Sequence, residues 1–258
     1  MGRSSSTSRA DKRAQPTLWR ALLPTCRGVA KGPHILGGVS EPVVLFDLDG
    51  TLVDSEPGIR ASHHHTLATF GLEADDATVR RWIGAVLREA LLGLGIPEGH
   101  LEEAVAAYRC HYAATGIYQS RLYDGVVEML RALATSGATL CVATSKLTTS
   151  ADQVLEHSGI SSYFKFVAGS TPDRSREGKE AIIAHVLDLL GRRALGVVSM
   201  VGDTKWDVRG AVRNGARPIG VTWGYGTEAE LRAAGAEVIV AGPAELTAIF
   251  RPRGATTC

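Results

Sequence analysis

No run in this 258-residue sequence is long and apolar enough to read as a membrane span. The one apolar patch among the first 41 residues, Leu18-Trp19-Arg20-Ala21-Leu22-Leu23, is too short and interrupted for a signal-peptide core. Cysteine is scarce: Cys26, Cys110, Cys141 and Cys258 lie far apart, without a Cys-x-x-Cys or a paired histidine spacing. That excludes a zinc-finger spacing and a disulfide framework, and predicts reduced thiols in a cytoplasmic protein. An excess of one charge is also missing, with 28 Lys and Arg against 27 Asp and Glu. There is no general electrostatic case for a nucleic acid polymer or a membrane as partner. Internal repeats, a P-loop and a Gly-x-Gly-x-x-Gly fingerprint are absent as well.

What remains is the composition of a soluble globular protein with ample length for a core. Charge is unevenly placed. Residues 1–40 hold seven basic residues and one acid, which leaves 21 basic and 26 acidic residues in 41–258. Residues 1–41, rich in Ser, Arg, Gly and Pro, are expected to be disordered, and their role stays open between a dispensable extension and a targeting segment. Residues 251–258 read as a tail.

The chain is organised around Val43-Val44-Leu45-Phe46-Asp47-Leu48-Asp49-Gly50-Thr51. The first four residues form an apolar, β-branched and aromatic run that suits a central strand buried on both faces. Gly50 permits a sharp turn, so Asp47 and Asp49 are delivered at the carboxyl end of a parallel strand, where open α/β sheets bind ligands. Two neighbouring carboxylates repel unless a cation sits between them, and oxygen-only ligands favour Mg²⁺.

After this strand the pattern turns helical. Helices are predicted near 57–70, 75–92 and 99–114, interrupted at Gly71, Gly93-Leu94-Gly95 and Pro97-Glu98-Gly99. His63, His64 and His65 look like a metal site, but adjacent helical residues point about 100° apart and cannot chelate together. Arg80, Arg81 and Arg88 read as a solvated face. Asp124 is expected to cap a helix over 125–136. A strand over 139–143 ends in Thr144-Ser145-Lys146. A hydroxyl there, before the next helix, is a phosphate-binding arrangement. Lys179 opens an amphipathic helix on the unfavourable side of its dipole, which asks for anions nearby. Val197–Val201 forms another buried strand, ending in Gly202-Asp203-Thr204-Lys205-Trp206-Asp207.

These four stretches, in this order, resemble the four motifs of the haloacid dehalogenase-like (HAD) phosphohydrolases. The likeness runs from about residue 42 to 250. It implies an α/β fold: a doubly wound, Rossmann-like parallel sheet (42–56 and 121–250) with a small helical cap inserted over 57–120. It implies Asp47 as nucleophile, Asp49 as acid/base, and Thr144 and Lys179 as catalytic groups that hold the transferring phosphate. Substrate binding falls to Thr144, Ser145 and Lys179, with Gly50 and Thr51. Mg²⁺ falls to Asp47, Asp203 and the backbone carbonyl of Asp49, with Asp207 in support. Trp223-Gly224-Tyr225-Gly226 and Gly116-Ile117-Tyr118 look most like the 5′-nucleotidase and phosphoglycolate phosphatase branch. The expected substrate is a small phosphorylated metabolite, a nucleoside 5′-monophosphate or a similar ester. Phosphoglycolate, a specialised pathway phosphate and a phosphomutase reaction stand as alternatives, because Ile83-Gly84-Ala85-Val86-Leu87 and Ser120 depart from that branch. Dehalogenation is disfavoured, since it needs neither Mg²⁺ nor an acid at Asp49, and oligomeric state is not legible.

Overall fold

Six short runs rich in β-branched residues align as one parallel sheet in the computed structural model, which describes residues 41–192 and 196–250. In chain order its strands are β1 (Val43–Phe46), β4 (Thr139–Leu147), β5 (Phe166–Ser170), β6 (Val198–Gly202), β7 (Arg217–Val221) and β8 (Val238–Val240). Their order across the sheet is β5-β4-β1-β6-β7-β8. The chain leaves β1 toward β4 and β5, then crosses back to β6 on the other side. This reversal makes the carboxyl end of β1 the switch point where α/β sheets open a crevice.

Alternation along β1 explains the layers. Val44 and Phe46 face α5 (Val126–Thr135), α6 (Thr148–His157) and α10 (Pro243–Ile249); Val43 and Leu45 face α7 (Lys179–Leu189) and α8 (Lys205–Arg213). All four strand residues are buried, each stabilising the fold by about 1.5–3 kcal/mol. A further helix, α9 (Glu228–Ala234), lies between β7 and β8 in sequence.

Between β1 and β4 the chain makes a two-strand antiparallel ribbon, β2 (Val53–Asp54) with β3 (Arg121–Leu122). Four helices are inserted between these strands: α1 (Glu56–Thr69), α2 (Asp76–Arg80), α3 (Leu87–Gly93) and α4 (Leu101–Ala114). The insertion has an apolar cluster of its own, including Leu67, Val79, Leu91, Ile96, Leu101 and Val105.

Three expectations need correction. The helix predicted over 75–92 is two helices, because Gly84 takes φ +87° and carries the chain across to the sheet domain. Helical periodicity conceals such a break. Asp124 caps nothing: Gly125, at φ +84°, precedes α5 without a side-chain cap. The strand expected to end at Ala143 continues to Leu147, with a register shift between Ala143 and Leu147 against β5 that turns Thr144–Lys146 out of the regular ladder. The extension expected over 1–41 lies outside the described residues except for Glu41, as does the tail over 251–258. Among the described residues no helix is long and apolar enough to cross a membrane.

Candidate active site

Sheet register brings the separated motifs together. Phe46 pairs with Val142 on one side and Val201 on the other, so Asp47, Thr144 and Asp203 follow from three adjacent strand ends. The Asp47 N–H donates to the Val201 carbonyl at 2.9 Å, prolonging the ladder by one bond. Leu48 N–H donates to Asp47 Oδ1 at 2.7 Å and fixes the carboxylate. Gly50 then turns at φ +85°, and a Cβ there would lie 2.2 Å from Asp203 Oδ2, so only glycine lets the two motifs close.

Asp203 is fully buried. Its Oδ1 accepts from Thr51 Oγ1 at 3.0 Å and its Oδ2 from Tyr225 N–H at 2.8 Å. Thr51, expected among the substrate-binding groups, is thus buried behind Asp203 with its hydroxyl already donated. Gly50 contributes its turn. Ser145 Oγ donates to the Gly84 carbonyl of the insertion at 3.2 Å, whereas the Thr144 hydroxyl is buried and accepts from the Lys146 N–H at 3.3 Å.

Lys179 resolves the anomaly of a lysine at a helix N-terminus. Its Nζ lies 2.6 Å from Asp47 Oδ1 and 2.7 Å from Asp207 Oδ1, and donates to the Ala143 carbonyl at 3.0 Å. The ammonium thus sits between two carboxylates and a carbonyl. Asp207 reaches back one helical turn, where its Oδ2 accepts from Thr204 N–H at 3.0 Å and Thr204 Oγ1 at 2.7 Å. Burial alone would lower the lysine, but Asp207 and Asp47 outweigh it and hold the ammonium charged. For Asp47 the balance falls the other way: burial exceeds the pull of Lys179 and pushes the carboxyl up to about 7. Burial, with the charges of Asp207 and Asp47, raises Asp203 well above the carboxylate range.

Carboxylate oxygens of Asp47, Asp203 and Asp207 lie within 4.8 Å of one another. Counting Asp49, four acids meet two buried cations, Lys179 and Lys146, a surplus of two negative charges when all are ionised. One divalent cation fits that deficit, and an all-oxygen donor set suits Mg²⁺ rather than zinc.

Several contributors carry no role in the sequence reading. Lys146 Nζ lies 3.2 Å from Asp49 Oδ2, and Ser55 Oγ donates to Asp49 Oδ1. Ser55 N–H in turn donates to the Tyr225 hydroxyl at 2.9 Å. The position of Lys146 in Thr144-Ser145-Lys146, at a strand's carboxyl end, is the signal that could have marked it.

Beside Asp49 and Lys146 a cavity of about 90 Å³ opens under the insertion, bounded there by His63, Trp82, Tyr108, Arg109 and Tyr112. The three adjacent histidines do diverge. His64 meets Asp76, His65 stacks on His111, and His63 points inward against Tyr108. Burial, then the charge of His64, lowers His63 to about 4, so its imidazole is neutral at physiological pH. Neither His63 Nδ1 nor Arg109 Nε has a hydrogen-bond partner among the described residues. Of the arginines read as solvated, Arg80 pairs with Glu56 and Arg88 with Glu102.

An aspartate pair at a switch point, a buried lysine and a strand-end hydroxyl define a phosphate-ester hydrolase class, and the sequence pattern of the haloacid dehalogenase-like hydrolases matches residues 44–221. The chain belongs to that family, and it is a phosphatase within it. A Pseudomonas aeruginosa protein named 5′-nucleotidase is 42% identical over 194 residues, 74% of this chain and 87% of that one. Tyrosine-protein kinase PtkA of Mycobacterium tuberculosis is 42% identical over 192 residues, 73% of this chain and 65% of its own length. The crystal structure of a predicted phosphatase from Clostridium acetobutylicum superposes with a TM-score of 0.77 at 34% identity, covering 82% of this chain and 98% of that one. Further relatives carry the name phosphoglycolate phosphatase.

Proposed function

We propose that the protein is a Mg²⁺-dependent phosphomonoester hydrolase working through an aspartyl-phosphate on Asp47, with a nucleoside 5′-monophosphate or similar small ester as substrate. The observation that carries this reading is the Lys179 bridge between Asp47 and Asp207 inside a pocket with two surplus negative charges. An Asp47 oxygen attacks phosphorus in line, and the phosphorus bond to the leaving oxygen breaks as Asp49 gives that oxygen a proton. Asp49 then takes a proton from water, whose oxygen attacks phosphorus and returns Asp47 as carboxylate. Thr144 and Lys179 hold the equatorial phosphoryl oxygens. Mg²⁺, held by Asp47, Asp203 and the Asp49 carbonyl with Asp207 in support, would neutralise charge on those oxygens. The helical insertion acts as a cap that excludes bulk water and contacts the leaving group.

The nucleotide assignment is supported by the 42% relative named 5′-nucleotidase. A second reading, phosphoglycolate, is favoured by the cavity. Arg109 lines it, and its Nε has no hydrogen-bond partner among the described residues. A leaving group bearing a carboxylate suits that guanidinium.

Phosphate release with Mg²⁺ across nucleoside monophosphates, phosphoglycolate and sugar phosphates tests both. Preference for nucleotides is the expected result, a preference for phosphoglycolate moves the protein to the second reading, and no release from any ester overturns both. Phosphoryl transfer to a sugar phosphate or a tyrosine hydroxyl in place of water would instead make it a transferase.

The metal assignment predicts a pH-dependent stability. Asp47 has a folded pKa of about 7, raised from 3.8, so between these values the folded protein binds more protons than the unfolded chain. Stability of the metal-free protein therefore falls as pH rises from about 4 to 7. Mg²⁺ should raise the melting temperature more at pH 8 than at pH 5, and equal shifts at both pH values would count against Asp47 and Asp203 as the ligands.

A further inference from the structure

Lys146 is a second buried ammonium, with partners separate from those of Lys179, which sits against Asp47, Asp207 and the Ala143 carbonyl. The bulged end of β4 delivers Lys146 into the cavity with a side chain only 8% exposed. Its Nζ has two partners on opposite sides of the crevice. One is Asp49 Oδ2 at 3.2 Å; the other is the face of Tyr112 on α4, whose ring centroid is 3.9 Å away. Tyr112 is itself held against Tyr108, the two rings parallel with centroids 6.0 Å apart. Asp49 is consequently gripped at both oxygens, by Ser55 at Oδ1 and Lys146 at Oδ2. The first grip comes from the loop at the foot of the insertion. The second depends on where the insertion sits, because the lysine rests on Tyr112. Ser145, the preceding residue, ties the same segment to the Gly84 carbonyl, so one strand end touches the insertion at two points.

We propose that Lys146 is a positioning residue for Asp49, seated on Tyr112 so that the proton donor is aligned when the helical insertion is docked on the sheet. This rests on the reading of Asp49 as the acid. A desolvated ammonium with one carboxylate and one aromatic face is costly to leave unpaired, so undocking the insertion frees Lys146 to solvent and releases the Asp49 side chain.

The test uses two leaving groups. Releasing p-nitrophenolate needs no proton, whereas an alkyl alcohol does, so pre-steady-state release from p-nitrophenyl phosphate and turnover of the preferred alkyl ester separate alignment of the acid from general damage. General acid catalysis contributes about 10²–10⁴-fold. K146M should therefore lose about 100-fold in kcat on the alkyl ester, at least tenfold more than it loses in the p-nitrophenolate burst. Its KM should stay within about threefold of the parent value, and K146R should recover part of the loss. Y112L should show the same asymmetry in weaker form with Lys146 intact, which keeps the test open where K146M fails to fold. Equal losses on both esters would reduce Lys146 to a structural ion pair and overturn the proposal. A raised KM with unchanged kcat would overturn it in favour of direct substrate binding. D49N serves as the reference: if it too loses equally on both esters, the acid role of Asp49 fails, and not merely the role of Lys146.

Discussion

Asp47→Asn should lower phosphate release by on the order of 10⁴-fold or more while leaving the metal-free protein at least as stable as its parent. The first half follows because an amide oxygen is a poor nucleophile and no second carboxylate can take its place: Asp203 is buried between Thr51 and Tyr225, and Asp207 between Thr204 and Lys179. The second half follows from electrostatics. Asp47 is a desolvated carboxyl whose titration is pushed up to about 7, and asparagine removes that charge while Lys179 keeps Asp207 as its partner. Urea denaturation without Mg²⁺, alongside the activity assay, checks both. An inactive but destabilised variant would mean that Asp47 is needed for the architecture as much as for chemistry, contrary to this assignment.

Lys179→Met should behave in the opposite way, losing stability as well as activity. Removing the ammonium leaves Asp47 and Asp207 buried without their shared cation and the Ala143 carbonyl without its donor. Breaking a buried pair from one side costs about 3–5 kcal/mol. Loss of a phosphoryl-stabilising donor costs a further 10²–10³-fold or so in turnover. The urea midpoint without Mg²⁺ should drop clearly and be partly restored by Mg²⁺, since a divalent cation held by Asp47 and Asp203 would offset the same excess of buried negative charge. A midpoint equal to that of the parent would show that the three-way contact is not what holds α7 and α8 against the strand ends. Read together, the pair of variants separates two neighbours 2.6 Å apart into one residue spent on chemistry and one on both chemistry and cohesion.

The sheet was legible because its central strands are apolar runs such as Val43–Phe46 and Val198–Val201 with an acid at or just past the end. Asp47 and Asp203 follow those strand ends, and the helix-dipole conflict at Lys179 asks for anions nearby, which the structure places there. Which anions they were did not follow. Asp207 lies 28 residues away on another helix, and only the parallel packing of α7 and α8 brings the two together. Thr51 reads as a substrate contact in its motif, yet its hydroxyl is spent on Asp203 across 152 residues of sequence. The break at Gly84 was hidden because apolar spacing persists through it, and a single lysine after a strand gives no sign of the partner it will meet.

All four carboxylates hang from the ends of β1 and β6 or from α8, while His63, Trp82, Tyr108, Arg109 and Tyr112 hang from the insertion. The candidate catalytic groups and the walls of the cavity therefore come from separate stretches of chain, connected along the backbone through the narrow β2–β3 ribbon. Under the proposed assignment, substitutions at Trp82 or Arg109 are expected to change the preferred ester while leaving every hydrogen bond of Asp47, Asp203 and Lys179 in place.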